Sequence, residues 1–267
     1  ATHILVSAGP GEDGDPVQRA DSATIARGLL GRGFAVIEDS AVYWIGEDRV
    51  VYRSFGGAPE AVSTRWVEDV LRRISVDAVF TAQDRGHKFI VMRPASTDER
   101  PSLAFDLTTG AWCEFSGQNV LTPYPPRKAV FFQSVQYLGD KLGRFGFIRN
   151  DNSDPLIGYY RDFGTDYPCV ATTGPVNADG QHFALSRVEL VIETGEYAYM
   201  EADPLVELEV SRNGGPWSLP KVRSMGAVGE QSKRIRWHGL GYTTRDMRFR
   251  FTSSSPVPRD IGGVTYG

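Results

Sequence analysis

Residues 34–53 read FAVIEDSAVYWIGEDRVVYR. Three apolar runs, FAVI (34–37), AVYWI (41–45) and RVVYR (49–53), are separated by EDS and GED. Each run has strand length and each gap is a turn, so the stretch predicts an antiparallel meander and not a strand–helix–strand unit. One helix follows. Ser63 is placed to cap it, and Trp66, Val67, Val70, Leu71 and Ile74 recur at helical spacing. Asp69, Arg72 and Arg73 fall on the other side, which predicts a short helix over 64–74.

Strand patterns then continue to the end of the chain. DAVFTAQ (77–83), HKFIVMRP (87–94), SLAFDL (102–107) and AWCEF (111–115) make a four-strand unit of about 40 residues, the size of a propeller blade. KAVFFQSVQYL (128–138), RFGFIR (144–149), PLIGYYRDFG (155–164) and YPCVATT (167–173) make a second. FALSRVELVIET (183–194), LVELEVS (205–211), RIRWH (234–238) and MRFRF (247–251) make a third. The expected fold is therefore all-β, with antiparallel meanders arranged as propeller-like blades and one short helix. An N-terminal segment of unassigned role spans 1–24, and the propeller-like domain spans 25–267.

The last set alternates with period two. Val206, Leu208 and Val210 alternate with Glu207 and Glu209; Ile235 and Trp237 with Arg234, Arg236 and His238; Met247, Phe249 and Phe251 with Arg248 and Arg250. Such alternation predicts a sheet with one buried face and one polar face. Arg234, Arg236, Arg248 and Arg250 are the candidate contact residues. They fit pairing with Glu207 and Glu209, a contact with a neighbouring subunit, or binding of DNA phosphate.

Bulk composition is that of a soluble globular chain: 41% hydrophobic, 23% charged, 29 glycines. No apolar stretch approaches the roughly 20 residues of a membrane span, and no signal peptide or membrane partner is expected. Residue 1 is Ala, which fits a processed chain or a piece of a longer one. Cys113 and Cys169 are too few for a disulfide framework or a zinc site and read as buried thiols in a reducing compartment. The net charge is −4, but residues 221–267 carry nine Lys or Arg against three Asp or Glu, so the first 220 residues sum to −10. That asymmetry marks a contact surface for a polyanion or an acidic partner.

Residues 3–14, HILVSAGPGEDG, space Gly9, Gly11 and Gly14 as G-x-G-x-x-G. With a helix over SATIARGLL (22–30) capped by Ser22, then FAVI and Glu38 or Asp39, the order mimics a dinucleotide-binding unit. Pro10 and Pro16 count against it, as do seven unpatterned residues after Gly14 and the lack of a second such unit. Nucleophilic chemistry has no elbow motif, and His3, His87, His182 and His238 are scattered. Only a Cys113–His87 or Cys169–His182 pair would need the fold to decide it. NDNSD (150–154) lacks calcium-loop spacing and reads as a turn. No catalytic, cofactor or metal residue is assigned.

Two hairpins are informative. SRNGGPWSLP (211–220) places Asn213, Gly214 and Gly215 in a turn with Trp217 after it, and resembles a degenerate Asp-box hairpin. FDLTTGAWCEF (105–115) ends a strand at Asp106, turns at Gly110 and packs Trp112; both tryptophans are expected in the core.

VVYRSFGGAPEAVSTRWVED, GHKFIVM, FDLTTGAWCE, RVELVIETG, EVSRNGGPWS, RIRWHGLG and FRFTSSSPV, taken in this order, resemble the packaged-DNA stabilisation proteins of tailed bacteriophages, the tail accessory or nozzle proteins. The resemblance runs from about Gly33 to Ile261. It implies a propeller-rich virion subunit, assembled in the host cytoplasm, in a homo-oligomeric ring of six below the portal. Its neighbours would be portal, adaptor and other tail proteins, with packaged DNA in the channel. It implies no cofactor and no catalytic residue, an acidic inner wall along which DNA slides, and a longer chain with a segment before residue 1. The alternatives are a carbohydrate-binding or hydrolytic propeller, and a dinucleotide enzyme using Gly9, Gly11 and Gly14.

Overall fold

A computed structural model describes residues 2–7, 17–25, 27–84, 86–95, 98–148, 161–195 and 203–267. They divide into two units, Ala1–Asn150 and Asp151–Gly267.

The first unit begins with β1 (Thr2–Ser7) and β2 (Val17–Ile25), paired antiparallel with Thr2 opposite Ile25 and Ser7 opposite Val17. Residues 22–25, expected to start a helix, therefore end a strand. An isolated two-turn helix is marginal in water, and pairing with β1 supplies the backbone partners it lacks. Gly9, Gly11, Gly14, Pro10 and Pro16 lie outside the described residues. A dinucleotide unit needs a helix and then a parallel strand after its glycine loop, and the antiparallel β1–β2 pair provides neither.

The expected meander follows as β3 (Ala35–Glu38), β4 (Ala41–Ile45), β5 (Val51–Ser54) and β6 (Glu60–Ala61), adjacent in that order. Asp39 and Ser40 turn the first hairpin with φ of 49° and 64°, the doubly positive pair that matches strand twist. Helix α1 (Arg65–Arg73) comes next. Its cap is Thr64, one residue later than expected, whose hydroxyl accepts the Val67 N–H at 3.4 Å. Ser63 is occupied elsewhere: it accepts the Val51 N–H and donates to Glu68. Val67 and Leu71 are buried, while Trp66 stands half-exposed. Arg72 pairs with Asp69 and Glu68 on the outer side, at the i,i+3 and i,i+4 spacings that helix neighbours favour.

The central sheet is β7 (Val76–Asp84), β8 (His87–Pro94), β9 (Ser102–Asp106) and β10 (Trp112–Phe115), again a consecutive meander. Val79, Ile90, Met92, Leu103 and Phe105 pack with Val67, Leu71, Ile45 and Val51 from α1 and the first sheet. Their neighbours Phe80, Ala82, Val91 and Ala104 point the other way, toward Phe115, Tyr124 and Ala129. The sheet is thus covered on both faces, which is why SLAFD is buried at every position and shows no alternation.

A third meander, β11 (Pro126–Phe132), β12 (Val135–Asp140) and β13 (Phe145–Ile148), supplies Ala129 to that second interface. Polar groups tie the two sheets. Buried Arg93 donates to Asp77 at 2.7 Å and to the Tyr124 carbonyl at 2.8 Å. Arg127 of β11 reaches the same Asp77 carboxylate.

The second unit holds β14 (Arg161–Asp162), β15 (Thr165–Asp166), β16 (Cys169–Thr172), β17 (Val176–Asn177), β18 (Phe183–Ala184), β19 (Arg187–Ile192) and β20 (Leu205–Arg212). Then come β21 (Lys221–Ser224), β22 (Ile235–His238), β23 (Tyr242–Thr243), β24 (Asp246–Ser253) and β25 (Ile261–Tyr266). One sheet runs β16-β24-β20-β21, with β17 also on β24; the other runs β22-β19-β25. The third expected meander is therefore divided between two sheets. Both press inward on one core: Val206, Leu208, Val210, Met247, Phe249 and Phe251 meet Val188, Leu190, Ile235 and Trp237. Trp237 is fully buried, and its indole N–H donates to the Lys221 carbonyl at 2.7 Å, the partner a buried tryptophan needs.

The described residues are all-β and antiparallel with one short helix, as expected, and the first unit is built of blade-like meanders. Among the described residues, no helix is long and apolar enough to cross a membrane.

Asp77 is the common acceptor of two arginines, one of them buried. Asp77→Ala removes the carboxylate that buried Arg93 meets at 2.7 Å, and breaking a buried pair costs about 3 kcal/mol. Urea unfolding is expected to show a loss of that order; a change below about 1 kcal/mol would mean that the pair adds little to sheet stacking.

Candidate interaction surface

The four candidate arginines do not share a face. Arg236 lies on β22 with Arg234 just before it, whereas Arg248 and Arg250 lie on β24 of the other sheet. Ile235, Trp237, Met247, Phe249 and Phe251 all enter the shared core. The alternating arginines therefore point out of opposite faces of the sandwich.

One arginine of each pair is anchored by a glutamate on the adjacent strand. Glu189 stands opposite Arg236 in register and accepts from its Nε at 2.7 Å. Arg234, 69% exposed, is 3.6 Å from the same carboxylate. The Arg236 hydrogen bond, outweighing desolvation, holds Glu189 below the usual carboxylate range. On the other face Glu209 stands opposite Arg250 and accepts from its Nε and Nη2, both at 2.7 Å, as a two-pronged fork. The same guanidinium lies 4.4 Å from the Trp217 ring centroid. Arg248 is exposed, opposite Ser211. Glu207, expected to pair with an arginine, is opposite Thr252.

Sequence reasoning missed Glu189 and the role of Trp217. Glu189 sits in an alternating RVELVI run that marks it as outward-facing, but only the β19–β22 register brings it to Arg236. Trp217 is not a core residue; it is a half-buried platform under Arg250. Trp112 does pack inward, 5.0 Å from Phe105, and its N–H donates to the Val62 carbonyl. Both hairpin turns form as expected. Asn213 and Gly214 adopt φ of 53° and 70°, and the Asn213 amide oxygen accepts from Thr243 and from the Arg245 N–H. Arg223 of β21 donates to the Arg236 carbonyl, so a further cation borders the Glu189 face.

The candidate nucleophile pairs do not assemble. His87 Nδ1 is 2.8 Å from Asp106 Oδ2, which also accepts from Thr109. Burial acts to raise the Asp106 pKa, but the bonds from Thr109, His87 and the Thr108 N–H outweigh it and hold the carboxyl low. Cys113 is not buried as a residue, yet desolvation around its sulfur, helped by the charges of Asp106 and Glu114, pushes its thiol up to about 11. Cys169 is half-buried on β16 and makes no hydrogen bond to His182. Residues 150–154 lie outside the described residues. Among the described residues, no group of three or more His, Cys, Asp or Glu side chains is placed to hold a metal ion.

Residues 169–265 match the model of the family described as Bacteriophage P22 Gp10, beta-sandwich. This span contains the five-stranded sheet of the second unit and nearly all of its three-stranded sheet. The match likens this part of the chain to a bacteriophage beta-sandwich domain. A comparison with curated proteins gave no match. Among solved structures the chain is similar to an exo-beta-1,3-galactanase from Phanerochaete chrysosporium with galactose, at 10% identity and TM-score 0.26, covering 88% of this chain and 67% of that one. It is also similar to a glycoside hydrolase family 43 arabinoxylan arabinofuranohydrolase from Bacillus subtilis, at 8% identity and TM-score 0.25, covering 87% and 66%. Scores this low carry no argument for a hydrolase.

One acid of the second unit is shifted upward. Burial raises Asp162 to about 6, with the Arg259 charge partly offsetting it. Below its unfolded value of 3.8 the group is protonated in both states. Between 3.8 and about 6 the folded state holds a proton that the unfolded state lacks, so its contribution to stability falls as pH rises through that window. Asp162→Asn removes the buried charge. It is expected to stabilise the chain by about 1–3 kcal/mol at pH 8 and by almost nothing at pH 4. Urea titrations at the two pH values test this, and an equal gain at both would refute it.

Proposed function

We propose that the chain is a structural protein of a phage tail or head-to-tail connector, and that six copies form a ring below the portal that retains packaged DNA and lines the ejection channel. The observation that carries the reading is the match of residues 169–265 to the P22 Gp10 sandwich. The ordered motifs between Gly33 and Ile261 support the finer part, because they follow the order of the packaged-DNA stabilisation proteins. The physical task is mechanical: confined DNA presses outward, and a stiff sheet scaffold with large interfaces resists it.

In this reading the arginines divide by role. Arg236 and Arg250 are committed to Glu189 and Glu209 within the chain. Arg234 and Arg248 reach outward and are the ones left for an acidic neighbour or for phosphate. The acidic balance of the first 220 residues favours weak contact with passing DNA, since carboxylates repel phosphate.

Co-expression with a portal ring tests the proposal. The expected product is a portal-bound particle holding six copies of this chain, read by native mass spectrometry. A stable monomer that never joins a ring in the presence of portal would overturn it.

A further inference from the structure

Among the described residues, the blade series in the first unit ends on an uncovered face. On the first and second sheets apolar side chains meet face to face, and on the second and third they do so again. The inner face of the third sheet carries Ala129 and Leu138. Its outer face, by the same registers, carries Val130, Phe132, Tyr137, Phe145 and Phe147. Four of these are 61%, 60%, 72% and 58% exposed: Val130, Phe132, Phe145 and Phe147 respectively. Tyr137 stacks on Phe145 at 5.4 Å and leans on Phe147 at 6.3 Å, so the rings form one patch.

At the other end of the series the first sheet also leaves apolar groups bare. Ile37 is 73% exposed and Val42, opposite it on the same face, 39%. The aromatic patch is on the order of 500 Å², near the upper limit for a monomer surface. It is more than half of the roughly 800 Å² that each partner gives to a standard interface.

From these faces we infer that the outer face of β11–β13 docks a second copy of this chain, and that it seats the Ile37–Val42 pair on the outer face of that copy's first sheet. The contact continues between copies the face-to-face stacking that already joins the three sheets within one. It is heterologous, pairing two different surfaces, and heterologous contacts are the kind that close into rings. The inference rests on the ring reading above and adds which surfaces make the contact.

Two measurements test it on the full chain. Phe147→Asp places a charge on the exposed face without disturbing the core. It is expected to raise the concentration for self-assembly, read by analytical ultracentrifugation, at least tenfold with an unchanged circular dichroism spectrum. In a Cys113→Ser, Cys169→Ser background, copies carrying Phe145→Cys are mixed with copies carrying Ile37→Cys and oxidised. Cross-links between the two kinds of copy are expected. Cross-links confined to pairs of Phe145→Cys copies would mean a two-fold contact and overturn the head-to-tail arrangement. If portal-bound rings form with Phe147→Asp at full yield, the docking face is wrong and the ring reading stands. If even the unsubstituted chain never assembles, with or without portal, both fall.

Discussion

A sheet whose side chains are apolar on one face must have that face covered, and this requirement arranges the whole chain. Covering one face gives alternation; covering both gives an unbroken apolar run. The central sheet of the first unit is the second case. Residues 102–106 are buried at every position because α1 and the first sheet lie on one side and the third sheet on the other. The second unit is the first case twice over: two sheets, each half-apolar, share a single core built around Trp237 and Phe249. Phe-sized side chains contribute about 1.5–3 kcal/mol each when taken from water. No polar tie in the chain competes with that total.

Polar groups settle what burial leaves open. Burial fixes that two sheets must meet but is indifferent to how far one slides along the other. Directional bonds remove that freedom. Trp112 reaches the Val62 carbonyl from the second sheet, and Arg93 bridges Asp77 and the Tyr124 carbonyl at the opposite interface. In the sandwich, Asn213 ties the β20–β21 turn to Thr243 and Arg245. Net gains from such bonds are of order 1 kcal/mol, so their effect is on specificity of alignment more than on total stability.

These two influences also explain what could be read in the sequence. The meander at 34–53 was legible because its turns are short and its pairings are between neighbours. So were the helix, to within one residue at its cap, and both glycine turns. Period two identified Val206, Leu208, Val210, Ile235, Trp237, Met247, Phe249 and Phe251 as inward-facing, and all are buried. It could not say which strands pair. A strand's pattern states which side faces a core and is silent about its neighbour, so β19 and β20, consecutive along the chain, went to different sheets. The arginine surface failed for the same reason: four outward residues became two pairs once their strands parted. Residues 22–25 misled differently. Their local composition suits a helix turn, and pairing with β1 overrode it.

The same logic bears on the groups with chemical potential. Asp106 meets His87 at 2.8 Å and its charge reaches Cys113, residue types that elsewhere make a nucleophile. Here the acid is spent on shape: it receives Thr109, the Thr108 N–H and His87, and so locks the turn that closes at Gly110. Desolvation around the neighbouring thiol, with the Asp106 charge adding to it, pushes Cys113 up to about 11, so it stays a thiol at neutral pH. A carboxylate that rigidifies a hairpin next to a cysteine raises the barrier to cysteine chemistry there, so stiffness and reactivity pull in opposite directions at this turn, and the residues favour stiffness.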